Sequence, residues 1–437
     1  MLLALCGCVR YHALPLETRP TVLYPPSATL QHHSGGSERP YLRAVEIDLS
    51  RPLDGNAVAV LTVMKNPALL ALRRRADIAS AQSFSAGLLP DPTFRTGHDF
   101  LLAGPDPLDN LTAGLSIDLV KTLIQRSTIA AQARAATQQV RYDLAWAEWQ
   151  SAGAARISAV RILSLEQVSS LDASSRDATQ GLLDATLRAA GRGDLGADRV
   201  QAPMTAAFDA SERQRTSERD LSAARFDLVR LLGLPPSTEL RLQRPDLPTG
   251  PVDANALFAD AQQQRFDLQA LRAGYVSQEA AVRKAILDQF PRLDLSVNAT
   301  RDTTNNRLLG PAVDFTLPLW NRNRGGIAVE RATRAALKAE YEARLFDTRA
   351  DIAAAVAGIE LARKQRQAIL DNLPALSRYA QGSRRAADRG DLAAATAASA
   401  EQALRDKQSQ LIRSEQAIEE QWIALELLTG APLQGTT

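Results

Sequence analysis

The sequence predicts a mainly α-helical chain with a small β part, internally duplicated. Three observations carry this. Of 437 residues, 45% are hydrophobic but only 5% aromatic, and much of the apolar share is alanine, which suits long helices better than a thick aromatic core. Four short segments break the helical pattern with a period of two. Landmarks in the first half recur about 200 residues later.

The strands come first. From Leu111 to Leu119 every odd position is apolar and every even position small or polar. The same alternation runs through Leu293–Thr300 and Val313–Leu319, and more weakly through Phe94–Phe100. Turn-rich stretches, 103–110 and 302–310, join them into two hairpins. These segments are about as long as a tilted strand that crosses a bilayer, roughly 9–11 residues. Four strands cannot close a barrel, and an open edge in lipid leaves backbone groups unpaired. Three chains sharing one barrel would supply 12 strands.

The helices follow from the duplication. Pro90 in Leu89-Pro90-Asp91-Pro92 is matched by Pro291, and Ile117 by Phe315. Arg192-Gly193-Asp194 recurs as Arg389-Gly390-Asp391, an offset of 197, and Gly233 recurs as Gly430 at the same offset. Each half reads as helix, hairpin, long helix, turn and returning helix. The long segments, from Val120 and from Leu319 to the Arg-Gly-Asp turns, would each extend roughly 100 Å if continuously helical. Such antiparallel pairs are coiled-coil-like. Leu-Leu-Gly-Leu-Pro and Leu-Leu-Thr-Gly-Ala-Pro end the returning helices with a capping glycine and a following proline.

The chain divides accordingly into a residual lipoprotein signal (1–8), an extended N-terminal tether rich in Pro, Ser, Gly and His (9–55), and two repeats (56–250 and 251–437). Their hairpins are expected at about 93–120 and 292–319, and their helix-pair tips at about 190–195 and 388–392. Leu5-Cys6-Gly7-Cys8 resembles a bacterial lipobox, with Cys8 as the candidate for lipidation (palmitate included) and Cys6 as the alternative.

Several functions are excluded or disfavoured. The formal charge is +2, from 51 Lys+Arg against 49 Asp+Glu, so no strong field draws the chain to nucleic acid. Beyond residue 98 there is neither His nor Cys, which removes a zinc site, a Cys nucleophile or a His base from most of the chain. No paired-carboxylate constellation stands out, so an enzyme, a cofactor and a bound metal are not expected. His32 and His33 read as exposed tether residues, and Trp146, Trp149 and Trp422 as packing residues. Trp320, at a strand-to-helix junction, suits a membrane interface.

Taken together, the lipobox, paired hairpins, duplicated halves and helix pairs resemble the TolC-like outer-membrane efflux family over about Asn66 to Pro432. The most specific pieces are Asn66-Pro67-Ala68-Leu69, Leu88-Leu89-Pro90-Asp91-Pro92, and Phe315-Thr316-Leu317-Pro318-Leu319-Trp320-Asn321-Arg322-Asn323-Arg324-Gly325-Gly326. The last is similar to a motif of the family's heavy-metal-cation branch, with Trp320 in place of the usual Phe. The resemblance implies a homotrimer in which long helices form an α-barrel through the periplasm beneath a shared 12-stranded transmembrane β-barrel. It also implies an outer-membrane, lipid-anchored location and partners in a periplasmic adaptor (membrane fusion) protein and an inner-membrane pump. The apolar strand faces would meet lipid, and the polar ones, with Asp118, Asp294 and Asp314, would line the lumen. Energy must come from elsewhere, since no Gly-rich Walker sequence is present. At the tips, Arg192, Asp194, Arg389 and Asp391 are the gate candidates: the aspartates would form a charged constriction and the flanking arginines would pair with neighbours to hold it closed. Ala393-Ala394-Ala395-Thr396 departs from the family's run after the second tip. Metal cations are preferred over drugs as cargo. The alternatives are a periplasmic coiled-coil adaptor and a structural envelope protein, neither of which explains four strands at duplicated positions.

Overall fold

The computed structural model describes residues 11–16, 29–32, 45–100, 102–245, 250 and 252–433. Two short strands, β1 (Thr29–His32) and β2 (Val45–Asp48), pair antiparallel ahead of the first repeat. That repeat contains α1 (Gly55–Lys65), α2 (Pro67–Gly87), β3 (Thr93–Asp99), β4 (Asn110–Asp118), α3 (Arg126–Gly191) and α4 (Gln201–Leu231). The second contains α5 (Ala254–Gln264), α6 (Phe266–Leu287), β5 (Leu293–Arg301), β6 (Arg307–Phe315), α7 (Arg324–Asp388) and α8 (Ala394–Thr429).

The expected helix–hairpin–helix-pair order therefore appears twice. At about 1.5 Å per residue, the 66 residues of α3 and the 65 of α7 each extend to nearly 100 Å. A π-helical turn, Val120–Gln125, leads into α3, so the helix enters its regular α form later than Val120. In the second repeat, Arg322 and Asn323 adopt left-handed φ values of 46° and 49° before α7 begins. The Asn323 side chain donates to the Ala285 carbonyl at 2.8 Å, tying that turn to the end of α6. The Asn-Arg-Asn stretch is thus a turn that re-aims the chain from sheet to helix, and Leu317–Asn321 lies outside both elements.

Each repeat starts with a bent helix pair. The α1–α2 axis turns by 54° at Asn66, where Pro67 occupies the first helical position and Asn66 Oδ1 accepts from the amides of Ala68 and Leu69. The pair α5–α6 is interrupted at Arg265. No single helix among the described residues is long and apolar enough to cross a membrane, a statement that does not bear on strands.

Two apolar clusters hold the helices. In the first, α1 is buried without interruption from Ala57 to Val63 and is enclosed by Trp149 of α3 and by Leu228, Val229 and Leu232 at the end of α4. In the second, Ala261 of α5 packs with Ile352 and Ile359 of α7 and with Trp422 and Leu425 of α8. Trp149 and Trp422 are both core residues, as their sequence context indicates.

Two sequence expectations need correction. The tether does not remain unpacked as far as residue 55. Ile47 and Leu53 are buried in the first cluster, and Leu53 exchanges backbone hydrogen bonds at 2.8 Å with Arg241 and Gln243 of the inter-repeat linker. The apolar side chains of Val45, Ile47, Leu49 and Leu53 pack in the cluster around α1. The fourth strand runs from Arg307 to Phe315 rather than from Val313 to Leu319. Its register pairs Arg301 with Arg307, leaving only a five-residue turn. There Asp302 Oδ1 accepts from the amides of Thr304 and Asn306, at 3.1 and 2.7 Å, closing the hairpin sooner than the Gly310-Pro311 pair suggests.

Candidate channel sheet, helix clasps and tips

β3, β4, β5 and β6 form one antiparallel sheet in that order, so the two hairpins sit side by side through β4 and β5, and β3 and β6 are its edges. Directly opposed residues share a face. One face carries the rows Phe94–Leu115–Val297–Pro311 and Ile117–Leu295–Val313. Large apolar side chains in those rows are open in the single chain, with Phe94 67% and Val313 53% exposed. The opposite face carries Thr93–Ser116–Ser296–Ala312 and, nearest the helices, the carboxylate row Asp118–Asp294–Asp314. Arg292 Nε lies 2.8 Å from Asp294 and 3.6 Å from Asp118, partly balancing that row. The sequence identifies these three aspartates as polar-face residues. Their alignment across three strands emerges only from the register.

At the far end of the sheet the two hairpin loops are tied by polar contacts. His98 Nε2 is 3.0 Å from Asp109 Oδ2, and Asn110 donates to Asp99 at 3.0 Å. Thr303 donates to Asp106, joining the loops of the two hairpins. Hydrogen bonds from Asn306 and Thr304 hold the Asp302 carboxyl below its ordinary range. Trp320 stands exposed at the opposite end, near exposed Leu317 and Leu319 in sequence.

The helix tips repeat almost atom for atom. After α3, Gly193 takes φ +82°, and the amides of Gly193 and Asp194 donate to the carbonyls of Ala190 and Ala189, both at 2.9 Å. After α7, Gly390 takes φ +84°, with the same pattern from Gly390 to Ala387 and from Asp391 to Ala386. This is a glycine-capped helix stop in which the last carbonyls are satisfied by the turn itself. In each, the arginine closes on the aspartate of its own turn: Arg192 Nε–Asp194 Oδ2 and Arg389 Nε–Asp391 Oδ2 are both 2.9 Å, and all four side chains are exposed. Within the single chain the four residues singled out by sequence thus form two local pairs. Arg384 reaches across between helices there, lying 3.2 Å from Asp388 of its own helix and 4.0 Å from Glu401 of α8.

A second duplicated feature escaped the sequence reading. The bend residue of each starting helix pair clasps the end of its returning helix. Asn66 Nδ2 donates to the Leu231 carbonyl at 2.9 Å, and Arg265 Nη1 donates to the Leu428 carbonyl at 3.2 Å. Against these bends pack the glycines that end the returning helices, Gly233 (φ +67°) and Gly430 (φ +80°). A Cβ on Gly233 would lie 2.4 Å from the Lys65 carbonyl oxygen, and one on Gly430 2.8 Å from Arg265 Cα. Arg265 is itself buried, forked onto Asp267 at 2.7 and 2.9 Å, and stacked 4.9 Å over the Trp146 ring of the first repeat. Aligning the halves places Arg265 near Asn66, a signal that was available, but the two residue types share no motif.

Nearby carboxylates are perturbed by burial. Burial, reinforced by the charge of Asp267, pushes the Asp143 carboxyl above its ordinary range. Burial likewise raises that of Glu419, against the opposing pull of Arg244, 3.3 Å away. Among the described residues no group of three or more His, Cys, Asp or Glu is arranged to hold a metal ion. Cys6, Cys8 and His33 lie outside the described residues, and His32 falls in β1.

Residues 257–431 match the family model described as outer membrane efflux protein. No curated protein sequence matches the chain. Solved structures with the same fold include CusC, studied for conformational changes accompanying folding and transmembrane channel formation (15% identity, 86% of this chain and 92% of that one, TM-score 0.71). The CmeC outer membrane channel of Campylobacter jejuni aligns at 12% identity over 88% of this chain and 87% of that one, with TM-score 0.72. The open-state MtrE outer membrane channel of Neisseria gonorrhoeae aligns at 16% identity over 86% and 89%, with TM-score 0.70. The family model of outer membrane efflux proteins thus matches most of the second repeat of the chain, and the whole chain shares its fold with these channels over most of its length.

Proposed function

We propose that this protein is the outer-membrane channel of a tripartite efflux system, a passive conduit rather than an enzyme. One observation carries the reading. A four-stranded sheet with an open apolar face and two unpaired edges surmounts helices of nearly 100 Å, and in lipid such a sheet is stable only when its edges are paired. Three copies joined edge to edge would give a 12-stranded barrel with the apolar rows toward lipid. The Asp118–Asp294–Asp314 rows would then ring the lumen where the sheet meets the helices. The helices would continue as a barrel through the periplasm toward an adaptor and an inner-membrane pump, which supply selectivity and energy.

In this reading Cys8, with Cys6 as the alternative, carries the lipid anchor. The tips Arg192–Asp194 and Arg389–Asp391 form the periplasmic constriction, its carboxylates balanced within each turn. The cargo is a metal cation in preference to a drug, on the likeness of the Pro318–Gly326 junction to the metal-cation branch. Two experiments test these points. Vesicles carrying the purified protein should release small polar solutes, and impermeable vesicles would refute the conduit. Deleting the gene should lower tolerance to zinc, cobalt, cadmium or copper; unchanged metal tolerance with lost antibiotic tolerance would reverse the cargo assignment.

A further inference from the structure

At the loop end of the sheet, its apolar face finishes in a row of a different kind. Passing outward from the helices, that face carries Leu293–Phe315, Ile117–Leu295–Val313, Phe94–Leu115–Val297–Pro311 and Thr96–Ala113–Ala299–Leu309, none of them ionisable. The next row is His98–Leu111–Arg301–Arg307. The residues from Leu293 to Arg301 cover about 27 Å of strand and, at a tilt of about 40°, roughly 20 Å of height. The two arginines therefore stand at the outer rim of an apolar band, where the chains of a bilayer give way to its headgroups.

The charges of this row do not balance. His98 is matched by Asp109 at 3.0 Å. The other carboxylates of the loops accept from uncharged partners: Asp99 from Asn110, Asp106 from Thr303, and Asp302 from Thr304 and Asn306. Arg301 and Arg307 form no ion pair among the described residues. They are also directly opposed on β5 and β6, a position in which Cβ atoms stand about 5 Å apart and like charges repel. Arg301 is half-buried, and its Nε is closed to solvent with no hydrogen-bond partner among the described residues, so water does not fully relieve that repulsion. Two neighbouring guanidinium groups without a carboxylate are a donor set for phosphate, whose free oxygens accept from both forks at once.

We propose that Arg301 and Arg307 together bind the phosphate of a phosphorylated lipid in the leaflet that the hairpin loops face, with the acyl chains of that lipid lying along the apolar rows. The two parts of the surface match the two parts of such a molecule: a paired cationic rim for the headgroup and an uninterrupted apolar face for the chains. The bound phosphate removes the repulsion between the opposed arginines and fixes the depth at which the sheet sits. That this face meets lipid, with the loops outward, rests on the conduit reading.

The test titrates the purified full-length protein, in mild detergent, with lipid A, an acylated disaccharide carrying two phosphates, and counts bound lipid by native mass spectrometry. One lipid should bind per chain, and Arg301→Gln with Arg307→Gln should weaken binding about tenfold or more. Should that pair of changes prevent folding, Arg307→Gln alone, an exposed position on an edge strand, should still weaken it several-fold. Arg95→Gln, on the opposite face in the row Arg95–Gly114–Asn298–Gly310, should bind as the unsubstituted protein does. Lipid A stripped of its phosphates should bind no better to the unsubstituted protein than intact lipid A binds to the doubly substituted one, and inorganic phosphate at the lipid's own concentration should displace nothing. Binding indifferent to the arginine changes, equal binding of the dephosphorylated lipid, or displacement by inorganic phosphate at that concentration would overturn the lipid site. Vesicles carrying the arginine variants should stay permeable to small solutes. Impermeable vesicles carrying the unsubstituted protein would instead overturn the conduit reading, so the two failures are distinguishable.

Discussion

The two repeats solve one mechanical problem with different chemistry. Both bend a starting helix pair, clasp the end of a returning helix at the bend, and stop that helix with a left-handed glycine. In the first repeat the clasp is the neutral amide of Asn66, and α1 is buried along seven consecutive residues beneath the strand β2 and Leu53. In the second the clasp is the charged Arg265, and α5 buries only Ala261. The difference shows where each repeat draws its stability. The first relies on apolar enclosure, so a neutral clasp suffices. The second has a thinner apolar cover and holds its bend with a forked ion pair to Asp267 and a cation stacked on Trp146 of the other repeat.

This contrast can be broken at its strongest point first. Gly233→Val and Gly430→Val each force a side chain into a left-handed backbone that already touches the opposing helix bend, and both should cost more than about 4 kcal/mol. Loss of folded protein in detergent thermal scans would register this in either repeat; tolerance of one glycine change but not the other would show that the repeats are not mechanically equivalent. Arg265→Met should follow at about 3–5 kcal/mol, because it removes the forked partner of the buried Asp267 carboxylate and leaves it the Leu268 amide at 2.9 Å and the more distant Arg344 at 3.7 Å. Asn66→Ala should cost about 1–2 kcal/mol, a neutral hydrogen bond and a helix cap. Equal losses for the two clasps, measured by denaturant titration, would contradict the division between apolar and ionic support.

The smallest effect is pH-dependent. Glu419 is raised above its ordinary range by burial, so the folded state binds its proton more tightly than the unfolded chain does. Its contribution is therefore most favourable in acid and is lost as pH rises through the folded value. Glu419→Gln should accordingly raise stability at neutral pH by roughly 1 kcal/mol or less and make no difference in acid, where Glu419 itself is protonated. Melting temperatures of the two proteins across pH would reveal this convergence; a variant less stable at neutral pH would mean that the pairing with Arg244 outweighs burial.

Much of this architecture is legible in the sequence because it rests on local rules. Strict alternation marks β4 and β5, and glycine followed by proline marks the ends of α4 and α8. What was misread or missed depends on partners distant in the chain. Leu308-Leu309-Gly310-Pro311-Ala312 breaks the two-residue alternation, so the start of β6 is set by its register on β5 and by the Asp302 turn rather than by its own pattern. Val45, Ile47 and Leu49 alternate with polar residues over too short a run to announce a packed strand, and the burial of Ile47 and Leu53 depends on α1 and the inter-repeat linker. The role of Arg265 requires Asp267, Trp146 and the Leu428 carbonyl, which come together only when both repeats have folded. At the tips the residue types are plain in the sequence, but the fold-back of Arg192 and Arg389 onto the aspartates two residues on depends on the glycine-capped turn between them.

The central claim is that copies of the chain complete one another's sheet, three to a barrel. Native mass spectrometry of the full-length protein, released from mild detergent, measures this directly. The account predicts a species with the mass of three chains that persists at low protein concentration, since edge pairing in lipid leaves no stable monomeric barrel. A monomer or dimer as the dominant species, with its strands still folded, would contradict it.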